Sequence, residues 1–375
     1  MSSRVPRAAS AGRSRIRPQD GRQNNLSLVL QTLYDTPEIS RADLSRATGL
    51  TRVTISDLVA ELLGSGLLAE VGSSDAIRPG KPATLLTVAE YSRDIIAVDL
   101  SGGEAITGAI CNIGGKIRYR AERQLGDAKG EEVLRSLISF ISELVKKSDK
   151  EILGICVGTP GTVDPSGKEV SAANLDWHRL KLSAELGKAL GQDVTIANDA
   201  RLATIAEHRF GNAGADLIRV QISRGVGSGL LIGGIAVNGT GGAAGEIGHV
   251  VIEHNGALCS CGKHGCLETW VAVPALSKRI AENPAEKEEI LAEAGRRLGI
   301  ALAPIIGMLD VSDVIVGGPS QFINGTFIAA AQSLIIDRIG LESRRSVVLR
   351  ESQLAGDAVL LGATALILRK QLGVN

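Results

Sequence analysis

The stretch GEIGHVVIEHNGALCSCGKHGCLETW, residues 245–270, carries the densest chemistry in this chain. Three of the five cysteines, Cys259, Cys261 and Cys266, stand in it with the spacing C-x-C-G-x-x-G-C-x-E. A cluster this tight in a chain expected to stay in the cytoplasm points to a bound metal more than to a disulfide. A set of reduced thiols without metal is the alternative. Cys111 and Cys156 lie instead in the apolar runs GAICNI and LGICVG, where buried, inert thiols are expected.

Outward from this stretch, apolar segments alternate with helical ones. DIIAVDL, TGAICNI, EILGICVG and DVTIAND have the character of strands, and GEEVLRSLISFISELVKKS has helical spacing. RVQISRG, SGLLIGGIAVNG and DVIVGGP continue the strands, and GDAVLLGATALILRKQL closes the chain as a helix. From about residue 90 onward the pattern is that of an α/β domain. No short internal repeat is evident.

Residues before 90 read differently. LSLVLQTLY from Asn24, then RADLSRAT and RVTISDLVAELLGSG, predict three short helices. Ser40 and Thr51 stand where helix caps belong and Gly49 where a tight turn is needed, so the second and third helices form a helix-turn-helix. In the third helix Ile55, Leu58, Val59 and Leu62 make one apolar stripe. Thr51, Arg52, Thr54, Ser56 and Asp57 are left near its start, where they can reach base edges. LLAEVGSSDAIRPGKPATLLTV then predicts two strands around a polar turn, a wing with Arg78 and Lys81 at its tip for phosphate contact. A protein-binding module on the same scaffold is the competing reading.

The C-x-C-G-x-x-G-C-x-E pattern, with GEIGH before it and IANDA and RGVGSG elsewhere, resembles the ROK family, named for repressor, open reading frame and kinase. The resemblance covers residues 22–375. It implies an N-terminal winged helix-turn-helix plus a two-lobed, actin-like sugar-kinase fold of α/β class. The expected boundaries are a disordered basic tail at 1–22, the DNA-binding domain at 23–88 and the ROK domain at 89–375. Lobe 1 would take about 89–200 with the closing helix at about 357–375, and lobe 2 about 201–356. The family's zinc ligands map to His249, Cys259, Cys261 and Cys266, a closed tetrahedral set that makes the ion structural rather than catalytic. His254 and His264 are alternative ligands.

The resemblance also implies a sugar site at Gly158, Asn174, Asn198, Asp199, Glu246, His249 and Glu268. Carboxylates and amides suit that task because each sugar hydroxyl both donates and accepts. Gly158, Pro160 and Gly161 would shape the loop beside the ring, while Trp177 is expected in the core. Asp199 corresponds to the general base of the family's kinases. Where those kinases carry D-x-G-G-T, this chain has Asp99, Leu100, Ser101, Gly102, Gly103 and Glu104. A serine replaces the first glycine, the threonine is lost, and Glu104 would repel a triphosphate. Gly225, Gly227 and Gly229 of the second glycine loop are intact, as are Gly317 and Gly318. Asp199 is therefore expected to be a vestigial base and the chain a regulator, with an ATP-dependent sugar kinase as the alternative.

Composition agrees with a regulator that confines DNA reading to one module. The chain has 375 residues, 41 basic against 41 acidic, with 44% hydrophobic and 22% charged residues, and no apolar run long enough to span a membrane. The segment before Asn24 is rich in arginine but lacks the apolar core of a secretory signal. Operator DNA, a monosaccharide or sugar phosphate, and a homodimer or homotetramer are the expected partners.

Overall fold

The computed structural model describes residues 18–73, 83–340 and 347–375. It divides into two units, residues 1–89 with 372–374 and residues 90–371 with 375. The first unit contains α1 (Pro18–Asp35), β1 (Ile39–Ser40), α2 (Arg41–Thr48), α3 (Arg52–Gly64), β2 (Leu68–Ser73) and β3 (Thr84–Val88). Ser40 caps α2 by accepting the Asp43 N–H, and Thr51 caps α3 by accepting the Thr54 N–H, both at 3.2 Å. Gly49 closes α2 in the left-handed region at φ 71°, which turns the chain sharply into α3. Leu30, Leu33, Leu44, Ile55, Leu58 and Leu62 form the buried face, and the strands lie in the antiparallel order β1-β3-β2.

One boundary differs from the expectation. Helix α1 begins at Pro18 rather than at Asn24, inside the segment expected to be a disordered tail. Arg22 then donates through Nε to Glu61 of α3 at 3.1 Å, which fastens the added turn. Arg78 and Lys81, the expected tip of the wing, lie outside the described residues.

The second unit opens with β4 (Arg93–Asp99), β5 (Ala105–Asn112) and β6 (Ile117–Gln124), an antiparallel meander. Helix α4 (Glu131–Lys147) crosses to β7 (Glu151–Thr159), which runs parallel to β4. Val133, Leu137, Phe140, Ile141 and Leu144 bury one side of α4, and Glu131, Glu132, Lys146 and Lys147 match the charge of its two ends. A small sheet of β8 (Thr162–Val163), β9 (Val170–Ala172) and β10 (Trp177–Leu180) follows, then α5 (Leu182–Leu190). Trp177 is in the core as expected, its indole donating to Gly130 O at 3.0 Å. β11 (Val194–Asn198) completes the order β11-β7-β4-β5-β6.

Helix α6 (Asp199–Phe210) leads into the second lobe, where β12 (Leu217–Ile222), β13 (Val226–Ile232) and β14 (Ile235–Ala236) repeat the meander. Helices α7 (Glu268–Val271), α8 (Val273–Glu282) and α9 (Lys287–Leu309) precede β15 (Asp313–Gly317), and α10 (Gly325–Arg338) precedes β16 (Val348–Glu351). The resulting order, β14-β13-β12-β15-β16, places successive strands as in the first sheet. The two lobes are thus one supersecondary pattern used twice, a repeat invisible in the sequence because packing preserves strand order rather than residue identity. α11 (Ala358–Leu372) returns to the first sheet, where Lys370 Nζ donates to Thr195 Oγ1 at 3.0 Å. Ile367 and Val359 fill the space that Gly154 and Gly158 leave on β7.

The second lobe also buries a charged pair. Arg219 of β12 is 1% exposed and donates through Nε to Glu207 of α6 at 3.2 Å and through Nη1 to Gln221 at 2.8 Å. Ser352, just past β16, donates its hydroxyl to the same Glu207. Among the described residues no helix is long and apolar enough to cross a membrane.

Candidate functional site

A cleft of about 540 Å³ lies between the two lobes of the second unit. It sits at the carboxyl ends of β7 and β11, where an open α/β sheet leaves backbone and loop side chains free to meet a ligand. Asn174, Asn198, Asp199, Glu246, His249 and Glu268 all line it, together with Pro160 and Gly161. Gly158 does not: it sits within β7, and a side chain there would meet Val359 of α11 at 2.5 Å. Its expected place beside a sugar ring is corrected to one behind the wall, where it lets α11 pack against the sheet.

Several of these polar groups have structural duties as well. Asn198 caps α6 by accepting the Arg201 N–H at 3.0 Å, and its Nδ2 donates to Gly161 O at 2.9 Å. That ties the 160–161 loop to the start of α6. Asp199 follows, accepting the Ala200 N–H at 2.7 Å. Burial, then the nearby charges of Asp99 and Glu246, push its carboxyl from the ordinary 3.8 to about 7. Glu246 is raised too, mainly by burial.

The value for Asp199 makes a pH prediction. The folded chain keeps a proton on this carboxyl that the unfolded chain releases, so stability should fall as pH rises from 3.8 to about 7 and level off above. Asp199→Asn should remove that component. The Tm difference between variant and wild type is expected to widen in favour of the variant between pH 5 and 8, as read from a thermal denaturation series. A constant difference would show that Asp199 is not the source.

The His/Cys group, a candidate metal site, contributes to one wall of the cleft through His249. The ligand atoms of His249, Cys259, Cys261 and Cys266 all lie within 4.8 Å of one another, with Cys259 Sγ 3.5 Å from His249 Nδ1 and Cys261 Sγ 3.7 Å from Cys266 Sγ. Four soft or borderline ligands at this spacing fit one tetrahedral ion with no place left for water. His264 is turned away to Gly256 O at 3.1 Å, and His254 lies exposed outside the cluster. The loop is shaped by Gly265 at φ 74°, where a Cβ would stand 1.8 Å from Glu253 O. Glu268 braces it: one carboxylate oxygen accepts the Ser260 hydroxyl at 3.3 Å and the other accepts the Val226 N–H at 3.0 Å.

The segment matching the first phosphate loop departs from a kinase in a specific way. Ser101, in place of glycine, donates through its N–H and its hydroxyl to Asp99 at 2.7 and 3.0 Å. Burial raises the Asp99 carboxyl while these bonds oppose the rise. Glu104 pairs with Arg224 across the cleft. Ser101 lines the cleft, and so do Arg224, Gln221, Ser223 and Ser260, which reading the sequence did not single out. The only local signal was the arginine directly before RGVGSG's first glycine.

In the first unit, Arg52 and Ser56 are exposed at the start of α3, and Thr54 is half-buried. Thr51 and Thr54 share a hydroxyl contact of 2.9 Å, and Ser56 donates back to Arg52 O at 2.9 Å, so the hydroxyls also serve the helix. Val53 is 72% exposed, an apolar group on the same face that the sequence reading passed over.

Two lobes with the same strand order and a polar cleft between them define the actin-like sugar-kinase fold. Residues 95–370 match the model of the ROK family, and the chain belongs to that family. It is 29% identical over 389 residues to the xylose repressor of Caldicellulosiruptor bescii, an alignment that covers 94% of this chain and 97% of the relative. A solved ROK family transcriptional regulator, a homolog of the E. coli Mlc protein, superposes with a TM-score of 0.82 at 24% identity, over 94% of this chain and 96% of that one. A ROK family glucokinase from Streptomyces griseus, solved with glucose and AMPPNP, gives 0.65 at 25% identity and covers 98% of its own length but 73% of this chain.

Proposed function

We propose that the chain is a sugar-responsive, DNA-binding transcriptional repressor. The observation that carries this reading is a difference in coverage: a repressor and a regulator align over 94% of the chain, whereas the glucokinase aligns over 73%, a shortfall of the size of the helix-turn-helix unit. A module for DNA joined to a sugar cleft has an evident use if the ligand changes operator affinity. A homodimer would present two recognition helices to two half-sites.

In this reading Arg52 and Val53 meet base edges in the major groove, the arginine through hydrogen bonds to guanine and the valine through a thymine methyl. Thr51, Thr54 and Ser56 set the helix start and approach the backbone, with Arg78 and Lys81 on phosphate. Asn174, Asp199, Glu246 and His249 face the sugar, while Asn198 and Glu268 hold the loops that carry them. Zinc held by His249, Cys259, Cys261 and Cys266 would fix the wall of the cleft and take no part in chemistry. Residues 18–88 form the DNA-reading domain and 89–375 the ligand-binding one.

Operator binding should be measured by fluorescence anisotropy on a DNA site selected with the full chain. Arg52→Ala is expected to weaken it about 10-fold, with specificity relaxed at one position. The inducing sugar should weaken wild-type binding by about 5–150-fold, and Glu268→Ala should blunt that response. An operator affinity that no sugar changes would sink the sugar-responsive reading. A coupled ADP assay tests the kinase reading, which turnover abolished by Asp199→Ala would restore.

A further inference from the structure

The charges that line the cleft bear on which sugars it can take. Asp199 and Glu246 line it, and Asp99 lies directly behind Ser101. Burial pushes the carboxyls of Asp99 and Asp199 upward, so this part of the cleft already resists carrying negative charge and would resist a further anion. A divalent ion held by three thiolates and a neutral imidazole would still leave its corner of the cleft negative. Hydroxyl groups can donate to such a surface. A phosphate dianion is repelled by it.

Among the described residues that line the cleft, Arg224 carries the one guanidinium or ammonium group. It stands between β12 and β13, beside Gly225, and donates through Nη1 to Glu104, which follows the turn after β4. The pair therefore joins the two segments that match the family's phosphate loops. With side chains 66% and 71% exposed, it stands at the mouth of the cleft rather than at its floor. An exposed pair adds little to stability. Its effect is chemical, since the cation that an incoming phosphate could use already has a carboxylate on it.

We infer that the Glu104–Arg224 pair makes the cleft selective for an uncharged monosaccharide against the phosphorylated sugar and against nucleotides. The inference rests on the cleft being the sugar site. Glu104 takes the position of an anion, and the carboxyl groups deeper in the cleft pair with hydroxyls, as acceptors when charged and as donors when protonated.

Isothermal titration calorimetry of the full chain against pentoses, hexoses and amino sugars, each beside its phosphate ester, tests this. Wild type is expected to bind one uncharged sugar at least about 100-fold more tightly than its phosphate. Glu104→Gln frees Arg224 and should narrow that ratio by about 10-fold or more. Adding Arg224→Gln to Glu104→Gln should widen it again. A phosphate ester binding wild type as tightly as its parent sugar would overturn the selectivity, and an unchanged ratio in Glu104→Gln would overturn the part given to the pair. Binding of no sugar of either kind would overturn the sugar-site reading itself and this inference with it.

Discussion

Cys266→Ser is expected to leave the purified chain nearly free of metal, with zinc falling from about one per chain to about one tenth or less. Cys266 is fully buried and lies 3.7 Å from Cys261, so the substituted oxygen would face the same three partners without a thiolate's affinity for the ion. Besides the ion, the loop is tied by backbone hydrogen bonds, among them Cys259 N–H to Lys263 O at 2.8 Å and Gly265 N–H to Ala257 O at 2.9 Å, and by the Glu268 brace. Leu258 is 65% exposed, and residues 254–258 are largely solvated. Apparent binding energies of structural zinc run to about 10–16 kcal/mol in small fingers, where they drive the whole fold. Here the second lobe has its own core of Val220, Leu276, Leu298 and Phe327, so the loss should be local. Tm is expected to drop by several degrees and residues 249–266 to lose hydrogen-exchange protection, while lobe 1 keeps its own. Elemental analysis with Cys111→Ser as control decides it. A full equivalent of zinc in Cys266→Ser would refute the ligand set.

The second large effect concerns Arg219. Arg219→Ala should destabilise the chain by about 3–5 kcal/mol, because it strands a buried carboxylate on Glu207. That residue is 0% exposed and joins α6 to β12 and to Ser352 after β16, three places brought together by the second lobe. Replacing both charges, as Arg219→Met with Glu207→Leu, should recover much of the loss, since no unpaired ion remains. Urea denaturation of the single and double variants measures this. A double variant no more stable than Arg219→Ala would show that packing, not the orphaned charge, sets the cost.

The sequence made local features plain and hid the distant ones. Ser40, Gly49 and Thr51 could be read as caps and turn because a cap acts within three residues. The cysteines could be read because their ligand spacing is short, and the rest of the cleft because a family pattern supplied positions far apart in the chain. Arg224 with Glu104 and Arg219 with Glu207 could not. The first pair bridges 120 residues, and the second depends on a helix and a strand meeting at one register. Gly158 misled for a related reason: a missing side chain records that something comes close but not from which side, and here it is Val359 of α11. The early start of α1 shows the reverse case, in which a polar composition suggested a free tail and one contact from Arg22 to Glu61 overrides it.

Glu268 divides its carboxylate between two loops, Ser260 beside the metal ligands and Val226 beside the glycine turn that faces the cleft. Such a strut makes two equilibria one. If losing zinc weakens sugar binding by some factor, sugar must strengthen zinc binding by that same factor, because the free energy around the four-state cycle closes. A cell-permeant chelator would then act as an indirect antagonist of the sugar, and a cell rich in that sugar would hold any ion at this site more firmly than one without it. The rate at which a chelator withdraws the ion, with and without saturating sugar, gives the size of that factor without any DNA in the tube.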